Sequence, residues 1–187
     1  MLKGIVMIMA SNFFRLHLTG IFKMKLSFQI IILVTLFAGD AHAQQIPAQT
    51  LPDFEFSRMD KTRFTNKDLK KDKMIFFVFF DPVCEHCLRA IKSIDEQFKS
   101  FQNLSVYLIS VDDKVKVNHF VNTYAPHLKA QKNVTLLQDN LSQFISKFKP
   151  YKYPAMFLYS TDKKLVVYED NEETVFRFVN TIKKQTK

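Results

Sequence analysis

The chain has 187 residues, of which 47% are hydrophobic, and its formal net charge is +9. This length is sufficient for one domain with a single core. The lysines occur in short separate patches, such as residues 70–73 and 163–164, without a basic stripe interleaved with aromatic residues, which argues against a nucleic-acid-binding protein.

The N-terminal region predicts export to the periplasm. Residues 26–38 form an apolar segment that follows Met-Lys at 24–25 and precedes Ala-His-Ala at 41–43, a small-x-small cleavage site. This segment is shorter than the roughly 20 apolar residues that a transmembrane helix requires. We therefore predict a signal peptide at residues 1–43 and a folded domain at residues 44–187.

Residues 1–23 are unusual for a signal peptide, because the methionine at position 24 already provides a complete start. Two explanations are open: a start codon assigned too far upstream, or a longer anchor that stays uncleaved. With cleavage after Ala43, no stable membrane insertion is expected.

The composition of the predicted domain restricts its turns and its core. It contains no glycine, because Gly4, Gly20 and Gly39 all precede it. Its turns are therefore expected to use Asn, Asp and Pro, and a glycine-rich phosphate-binding loop is excluded. The whole chain has twenty phenylalanines and no tryptophan, which predicts a phenylalanine-rich core.

The first predicted elements are two strands and a helix. Residues 51–56 alternate like an edge strand, and residues 74–80 form a continuous apolar run, as expected for a strand buried on both faces of a sheet. From Cys84 onward, apolar residues recur at helical spacing. These residues are Leu88, Ile91, Ile94 and Phe98.

The later elements continue the alternation of strands and helices. A strand is predicted at 104–111, followed by a helix that Pro126 ends, whose apolar residues are Val115, Val117, Phe120, Val121 and Tyr124. A short strand at 134–137, a short helix at 141–148 and a hairpin of 153–159 and 165–168 come next. A terminal helix carries Val175, Phe176, Phe178, Val179 and Ile182. This order predicts an α/β fold with a central mixed β-sheet flanked by helices.

The only two cysteines of the chain are Cys84 and Cys87, directly after the apolar strand. A helix that begins at Cys84 places its sulfur at a helix N-terminus, where backbone N–H groups and the helix dipole favour the thiolate. The spacing also permits a reversible disulfide within one helical turn. The pair therefore predicts a redox site.

Other interpretations of this pair are weaker. A zinc site needs four ligands, and there is neither a second cysteine pair nor a suitable spacing of His119 and His127. A c-type haem needs histidine at position 88, which is leucine. A peroxidase of the peroxiredoxin kind needs a hydroxyl residue where Asp81 stands. We predict no metal and no cofactor; an inert pair of surface cysteines remains an alternative.

The order of elements, with the cysteine pair opening the first main helix and Tyr-Pro at 153–154 opening the hairpin, resembles the thioredoxin-like superfamily. Within it, the chain is most similar to exported thiol-disulfide oxidoreductases of the TlpA/redoxin type. Leu-Pro-Asp-Phe at 51–54 resembles their opening segment, residues 81–87 their active-site turn, and residues 134–139 the extra strand of the redoxin branch. The resemblance covers nearly all of residues 51–184.

The resemblance implies a role for each site residue. Cys84 would attack a substrate disulfide and Cys87 would resolve the mixed disulfide. Pro154 would follow a cis peptide and present its loop beside the sulfurs, where a substrate backbone can pair with it. Tyr153 and Val83 would contribute to the substrate-binding surface. An ordinary strand-opening proline is the alternative for Pro154.

His86 lies between the cysteines, where a partly positive imidazole stabilises the thiolate of Cys84 and makes the disulfide more oxidising. Glu85 acts in the opposite direction. A solvent-exposed histidine with little influence is the alternative.

The chain also departs from the family pattern. Val83 replaces the aromatic residue that precedes the first cysteine in many relatives, and Val78 replaces a buried carboxylate of thioredoxins. The proton acceptor for Cys87 is therefore unassigned, with Asp81 and Glu85 as candidates.

We predict a periplasmic thiol-disulfide oxidoreductase that exchanges with exported protein thiols and disulfides and with a redox-recycling partner. The sequence does not define the direction of electron flow. Two alternatives are a reductase dedicated to cytochrome c assembly, and a non-catalytic binding module that holds exported client proteins in the groove near Pro154.

Overall fold

The structure is a computed structural model that describes residues 45–185. The signal peptide predicted at residues 1–43 lies outside the described residues. Within residues 45–185, no helix is long and apolar enough to cross a membrane.

Seven strands form one mixed sheet in the order β2-β1-β5-β4-β3-β6-β7. The strands are β1 (Glu55–Arg58), β2 (Arg63–Thr65), β3 (Ile75–Phe79), β4 (Ser105–Ser110), β5 (Val134–Gln138), β6 (Ala155–Tyr159) and β7 (Leu165–Glu169). β4 pairs in parallel with β3 and β5, and the other pairs are antiparallel. The predicted mixed α/β sheet is confirmed.

Helices lie along the chain between and after these strands. They are α1 (Glu85–Glu96), α2 (Lys114–Tyr124), α3 (Pro126–Lys129), α4 (Gln143–Phe148) and α5 (Val175–Gln185). Short 3₁₀ turns occur at residues 66–68, 98–101 and 172–174.

Strand β3 is central, and all five of its residues are buried. Because successive side chains of a strand point to opposite faces, Phe76 and Val78 pack on one side of the sheet while Phe77 and Phe79 pack on the other. The first side is covered by α1, α2 and α5. The second is an aromatic core, as the phenylalanine content predicted: Phe54, Phe56, Phe64, Phe77, Phe79, Tyr107, Phe144, Phe148, Phe157 and Tyr159.

Several predicted details differ from the structure. β1 begins at Glu55 rather than at position 51, and it is not an edge strand, because the unpredicted β2 pairs with its outer side. Phe98 lies beyond the end of α1, in a 3₁₀ turn. Val115 and Phe176 were predicted on apolar helix faces but are 78% and 55% exposed.

The turns agree only in part with the prediction. The side chains of Asp60, Asp81 and Asn171 each accept the backbone N–H two residues later, as expected for turns built on Asp and Asn. Within residues 45–185, however, the four residues with positive φ, between 49° and 70°, are Lys61, Ser142, Lys149 and Lys163. A side chain in this left-handed region costs roughly 1–2 kcal/mol, which glycine would avoid. The described residues contain no glycine, so lysine and serine occupy these positions.

Residues 45–51 form a segment that we call the N-terminal strap. It is held by backbone hydrogen bonds from Ala48 N to Phe148 O (2.9 Å) and from Leu51 N to Lys163 O (2.9 Å). The N–H of Leu165, the first residue of β7, donates to Gln49 O at 2.8 Å. The strap therefore lies along the start of β7.

Helix α1 is joined to α3 by a buried carboxylate, Asp95, which is 4% exposed. One of its oxygens accepts the backbone N–H of Leu128 at 2.7 Å, and the other lies 2.8 Å from His127 Nδ1. The sequence indicated His127 only as a potential metal ligand and gave no sign of the role of Asp95. This contact holds the far end of the helix that Cys84 caps.

We expect Asp95→Ala to lower the free energy of unfolding by about 1–3 kcal/mol, because it leaves the buried N–H of Leu128 without an acceptor. Urea unfolding measures the change. Glu96→Ala is the matched control, since Glu96 is the next residue and is exposed, and it should change stability by less than about 0.5 kcal/mol. Equal effects of the two substitutions would contradict the anchoring role of Asp95.

Candidate active site

The chain turns sharply between the end of β3 and the start of α1. The N–H of Cys84 donates to Asp81 O at 3.1 Å, and the N–H of Val83 donates to Asp81 Oδ1 at 2.9 Å. Cys84 is the N-cap of α1, and its Sγ accepts the backbone N–H of Cys87 at 3.4 Å. The predicted position of the first sulfur, at a helix N-terminus, is confirmed.

The two cysteines have different environments. Cys84 is partly exposed, whereas Cys87 is fully buried in the helix-side core. Burial raises the pKa of the Cys87 thiol, while a hydrogen bond from the N–H of Asp81 to its Sγ, at 3.5 Å, acts in the opposite direction. The burial of Cys87 makes Cys84 the accessible sulfur.

Both cysteines are free thiols, so the disulfide expected from their spacing is absent from this structure. The physical reason is the position of each sulfur. Cys84 Sγ caps the helix, and the Cys87 side chain points into the core, so a bond between them requires a change of side-chain conformation.

The peptide between Tyr153 and Pro154 is cis, as the resemblance implied. Pro154 is buried immediately before β6, which pairs with β3. The Tyr153 ring stacks on Phe79, with 5.0 Å between ring centroids. Burial raises the pKa of Tyr153, and the charges of Asp81 and Cys87 contribute to the same shift. The loop before Pro154 therefore lies beside the cysteine pair.

An exposed apolar side chain and a cleft adjoin the cysteine pair. Val83, directly before Cys84, is 83% exposed. A cleft of about 290 Å³ is lined by His86 of α1, by Tyr153 and by Glu172 from the connection after β7, among others. The structure thus brings all the predicted site residues to the end of the central strand β3, where the neighbouring strand β6 begins.

The main partner of His86 is one that the sequence did not predict. Its Nδ1 lies 2.8 Å from Glu172 Oε1, and the same oxygen accepts hydrogen bonds from Arg89 Nε (3.0 Å) and Nη2 (2.8 Å). Nη1 of Arg89 also lies 3.7 Å from Oε2 of Glu85. Glu85 was expected to act against His86, but the carboxylate that contacts both His86 and Arg89 is that of Glu172.

Glu172 remains ionised at all ordinary pH values. Partial burial alone would raise its pKa, but hydrogen bonds from His86, from its own backbone and from Arg89 lower the pKa to about 2. Its side chain is 15% exposed, compared with 63% for His86. The carboxylate is thus a fixed negative charge beside the first turn of α1.

Within residues 45–185, no group of three or more His, Cys, Asp or Glu residues has the geometry of a metal site. His127, one of the two histidines considered for zinc, instead contacts Asp95. The site offers one accessible sulfur, a buried second sulfur three residues later, and a cleft beside them. This arrangement is suited to exchange between a dithiol and a disulfide.

Sequence reasoning did not identify Glu172, and no local signal could have found it. It is 86 residues from His86 and 83 from Arg89, in a connection without any recognisable motif.

Comparisons with known proteins agree with this architecture. The sequence model of the AhpC/TSA family matches residues 47–168. No curated protein matches the chain.

Several solved structures share the fold. An uncharacterized thioredoxin-like protein from Porphyromonas gingivalis has 18% identity and a TM-score of 0.59, covering 74% of this chain and 93% of that one. Peroxidoxin BcpB from Mycobacterium tuberculosis has 16% identity and a TM-score of 0.60, covering 75% of this chain and 97% of that one. The thioredoxin domain of a thiol-disulfide oxidoreductase from Bacteroides vulgatus has 16% identity and a TM-score of 0.58, covering 73% of this chain and 96% of that one. These likenesses confirm a thioredoxin-like fold.

Proposed function

The chain belongs to the AhpC/TSA family and has the thioredoxin-like fold, and from this premise we propose that it is an exported thiol-disulfide oxidoreductase. One observation carries the proposal: a partly exposed cysteine is the N-cap of α1, and a buried cysteine follows three residues later. The helix N-terminus favours a thiolate nucleophile, and the spacing supplies a resolving thiol.

The proposed reaction has two exchange steps. The Cys84 thiolate attacks one sulfur of a client disulfide, whose S–S bond breaks as a mixed disulfide forms and one client thiolate leaves. Cys87 then loses its proton and attacks Cys84 Sγ, which releases the second client thiolate and forms the Cys84–Cys87 disulfide. Two electrons pass to the client, and a dithiol partner restores the protein by the same steps. The reverse direction oxidises the client.

Val83, Tyr153 and Pro154 are proposed to contact the client chain, because they lie beside the reactive sulfur and Val83 is largely exposed. The cleft between His86, Tyr153 and Glu172 extends this surface. The partners are exported proteins with disulfides or thiols, and the location is the periplasm. The predicted signal peptide supports this assignment.

Asp81 is the better candidate for the acceptor of the Cys87 proton. Its backbone contacts Cys87 Sγ, and its charge contributes to the raised pKa of Cys87 after burial. Glu85, the other candidate, is 89% exposed and faces Arg89. Asp81 is therefore the carboxylate with an electrostatic connection to the buried thiol.

We expect Asp81→Asn to slow the resolving step about tenfold to a hundredfold, since it removes the proton acceptor. Asparagine retains an oxygen for the N–H of Val83, so the turn is preserved. Loss of the negative charge by itself would make Cys87 easier to deprotonate and so speed the resolving step. A slower resolving step would therefore result from the loss of the proton acceptor. Quenched-flow measurement of the mixed-disulfide lifetime gives the rate. A rate equal to that of Glu85→Gln would contradict the role of Asp81.

A peroxidase is the second candidate, favoured by the family match and by the structural likeness to a peroxidoxin. In that reaction the Cys84 thiolate would reduce a peroxide to water or an alcohol and become a sulfenic acid, which Cys87 would condense to a disulfide with loss of water. Asp81 at the place of the hydroxyl residue argues against efficient peroxide reduction.

Two measurements on the purified protein distinguish these functions. Thiol titration in glutathione redox buffers should reveal one reversible dithiol/disulfide couple, and the protein should accelerate insulin reduction by dithiothreitol. Consumption of hydrogen peroxide without insulin reduction would favour the peroxidase. Activity in neither assay would leave the non-catalytic binding module as the remaining function. If a host mutant that lacks this protein also fails to make cytochrome c, a role in cytochrome c assembly would be favoured.

A further inference from the structure

A cluster of four charged or titratable side chains surrounds the first turn of α1. It consists of Glu85, His86 and Arg89 on the helix, and Glu172 from the connection after β7. Cys84, the N-cap of the same helix, lies five residues before Arg89, roughly 7–8 Å along the helix axis. The cluster therefore lies on the first turns of the helix that Cys84 caps.

Glu172 is the least exposed member of the cluster. Its side chain is 15% exposed, whereas the values are 49% for Arg89, 63% for His86 and 89% for Glu85. One oxygen, Oε1, accepts hydrogen bonds from Arg89 Nε (3.0 Å) and Nη2 (2.8 Å) and lies 2.8 Å from His86 Nδ1, and Arg89 Nη2 also lies 2.9 Å from that nitrogen. Both positive or potentially positive groups near Cys84 are thus directed toward one carboxylate.

The charges of Arg89 and Cys84 interact in this geometry. The pKa of Arg89 is raised first by its hydrogen bond to Glu172, and further by the charges of Glu172, Glu85 and Cys84. A thiolate at Cys84 and the carboxylate of Glu172 therefore compete for the same guanidinium. Screening affects Glu172 less than Glu85, because it is less exposed.

We propose that Glu172 is a positioning residue that sets the redox equilibrium of the Cys84–Cys87 pair. Its carboxylate holds Arg89 and His86 and offsets their positive charge, so these two side chains stabilise the Cys84 thiolate less. The inference rests on the proposed dithiol/disulfide function. A positive charge near a thiolate stabilises the reduced form, so a residue that neutralises this charge favours the disulfide. Glu172 therefore makes the pair a weaker oxidant than His86 alone would predict.

The test compares the glutathione equilibrium of the wild-type chain with that of Glu172→Gln at pH 7. Glutamine keeps the shape of the side chain and an oxygen for Arg89 but removes the charge. We expect the equilibrium of Glu172→Gln to shift toward the dithiol by about threefold to fivefold, as expected for an ion pair near the surface. Arg89→Gln should shift it in the opposite direction, because the positive charge itself is lost.

Glu173→Gln is the matched control. It removes the same charge one residue away, from an exposed side chain that makes no ion pair within the described part of the chain. Its shift should be less than half that of Glu172→Gln. Equal shifts, no shift in Glu172→Gln, or shifts of Glu172→Gln and Arg89→Gln in the same direction would overturn the inference.

The same experiment separates this inference from the proposed function. A wild-type chain without a titratable dithiol/disulfide couple refutes both. A wild-type couple with a measurable midpoint that Glu172→Gln leaves unchanged refutes only the role of Glu172.

Discussion

Replacing Cys84 with serine should reduce the exchange of client disulfides to the uncatalysed background while leaving the fold intact. A serine hydroxyl cannot form the mixed disulfide, so the first step is lost. Serine is also a preferred N-cap residue, so it can accept the N–H of Cys87 where the sulfur now does. Insulin reduction measures the activity, and circular dichroism with urea unfolding measures the fold.

The variant Cys84→Ala is the control for the structural role of the sulfur. It loses both the nucleophile and the cap, and we expect it to be about 1 kcal/mol less stable than Cys84→Ser. If both variants are inactive but differ in stability, the role of the Cys84 sulfur in catalysis is separate from its role as the helix cap. Residual exchange activity in Cys84→Ser would show that the other cysteine can act as the nucleophile and would contradict the assignment.

The complementary variant, Cys87→Ala, should retain the first step and accumulate the mixed disulfide with its client. Alanine places no hydroxyl donor in the buried position of Cys87, although it removes the sulfur that accepts the N–H of Asp81. Non-reducing electrophoresis followed by mass spectrometry would identify the trapped clients. This variant therefore addresses the partners directly.

Alkylation of the reduced protein should label Cys84 almost exclusively. Cys87 has no exposed surface, and burial raises its thiol pKa, so its thiolate fraction is very small near neutral pH. With a limiting amount of iodoacetamide at pH 7, we expect at least about a hundredfold preference for Cys84. Peptide mapping by mass spectrometry measures the ratio.

The pH dependence gives a second measure of the same difference. Because its raised pKa lies above the working range, the labelling rate of Cys87 should increase about tenfold with each pH unit between pH 7 and 9. Labelling in denaturant is the control, since both cysteines are then exposed and should react similarly. Preferential labelling of Cys87 in the folded protein would refute the roles given to the two sulfurs.

The parts of the site that follow from local sequence could be predicted. A continuous apolar strand, a short polar turn and two cysteines at helical spacing are consecutive in the chain, so β3, the turn and the capped start of α1 form a single local unit. The position of Cys84 follows from this unit without knowledge of the rest of the fold. The pairing of Pro154 with the site came from the resemblance.

The contacts that join distant segments could not be predicted. Glu172 contacts His86 across 86 residues, and Asp95 contacts Leu128 across 33, with no periodicity that connects either pair. Strand β2 was missed because it has only three residues, of which only Phe64 is apolar and buried. Hydrogen bonding to β1, rather than an alternation of apolar and polar residues in its own sequence, makes this segment a strand.

The N-terminal strap has a consequence for the free edge of the sheet. An exposed edge strand offers unpaired N–H and C=O groups to other chains and promotes aggregation. At the start of β7, the N–H of Leu165 is instead paired with Gln49, and Thr50 forms a bridge with Lys164. The opposite edge, β2, is only three residues long. Shortening the chain into residues 45–51 would expose the start of β7 to edge-to-edge association, whereas the predicted cleavage after Ala43 retains the strap residues that pair with it.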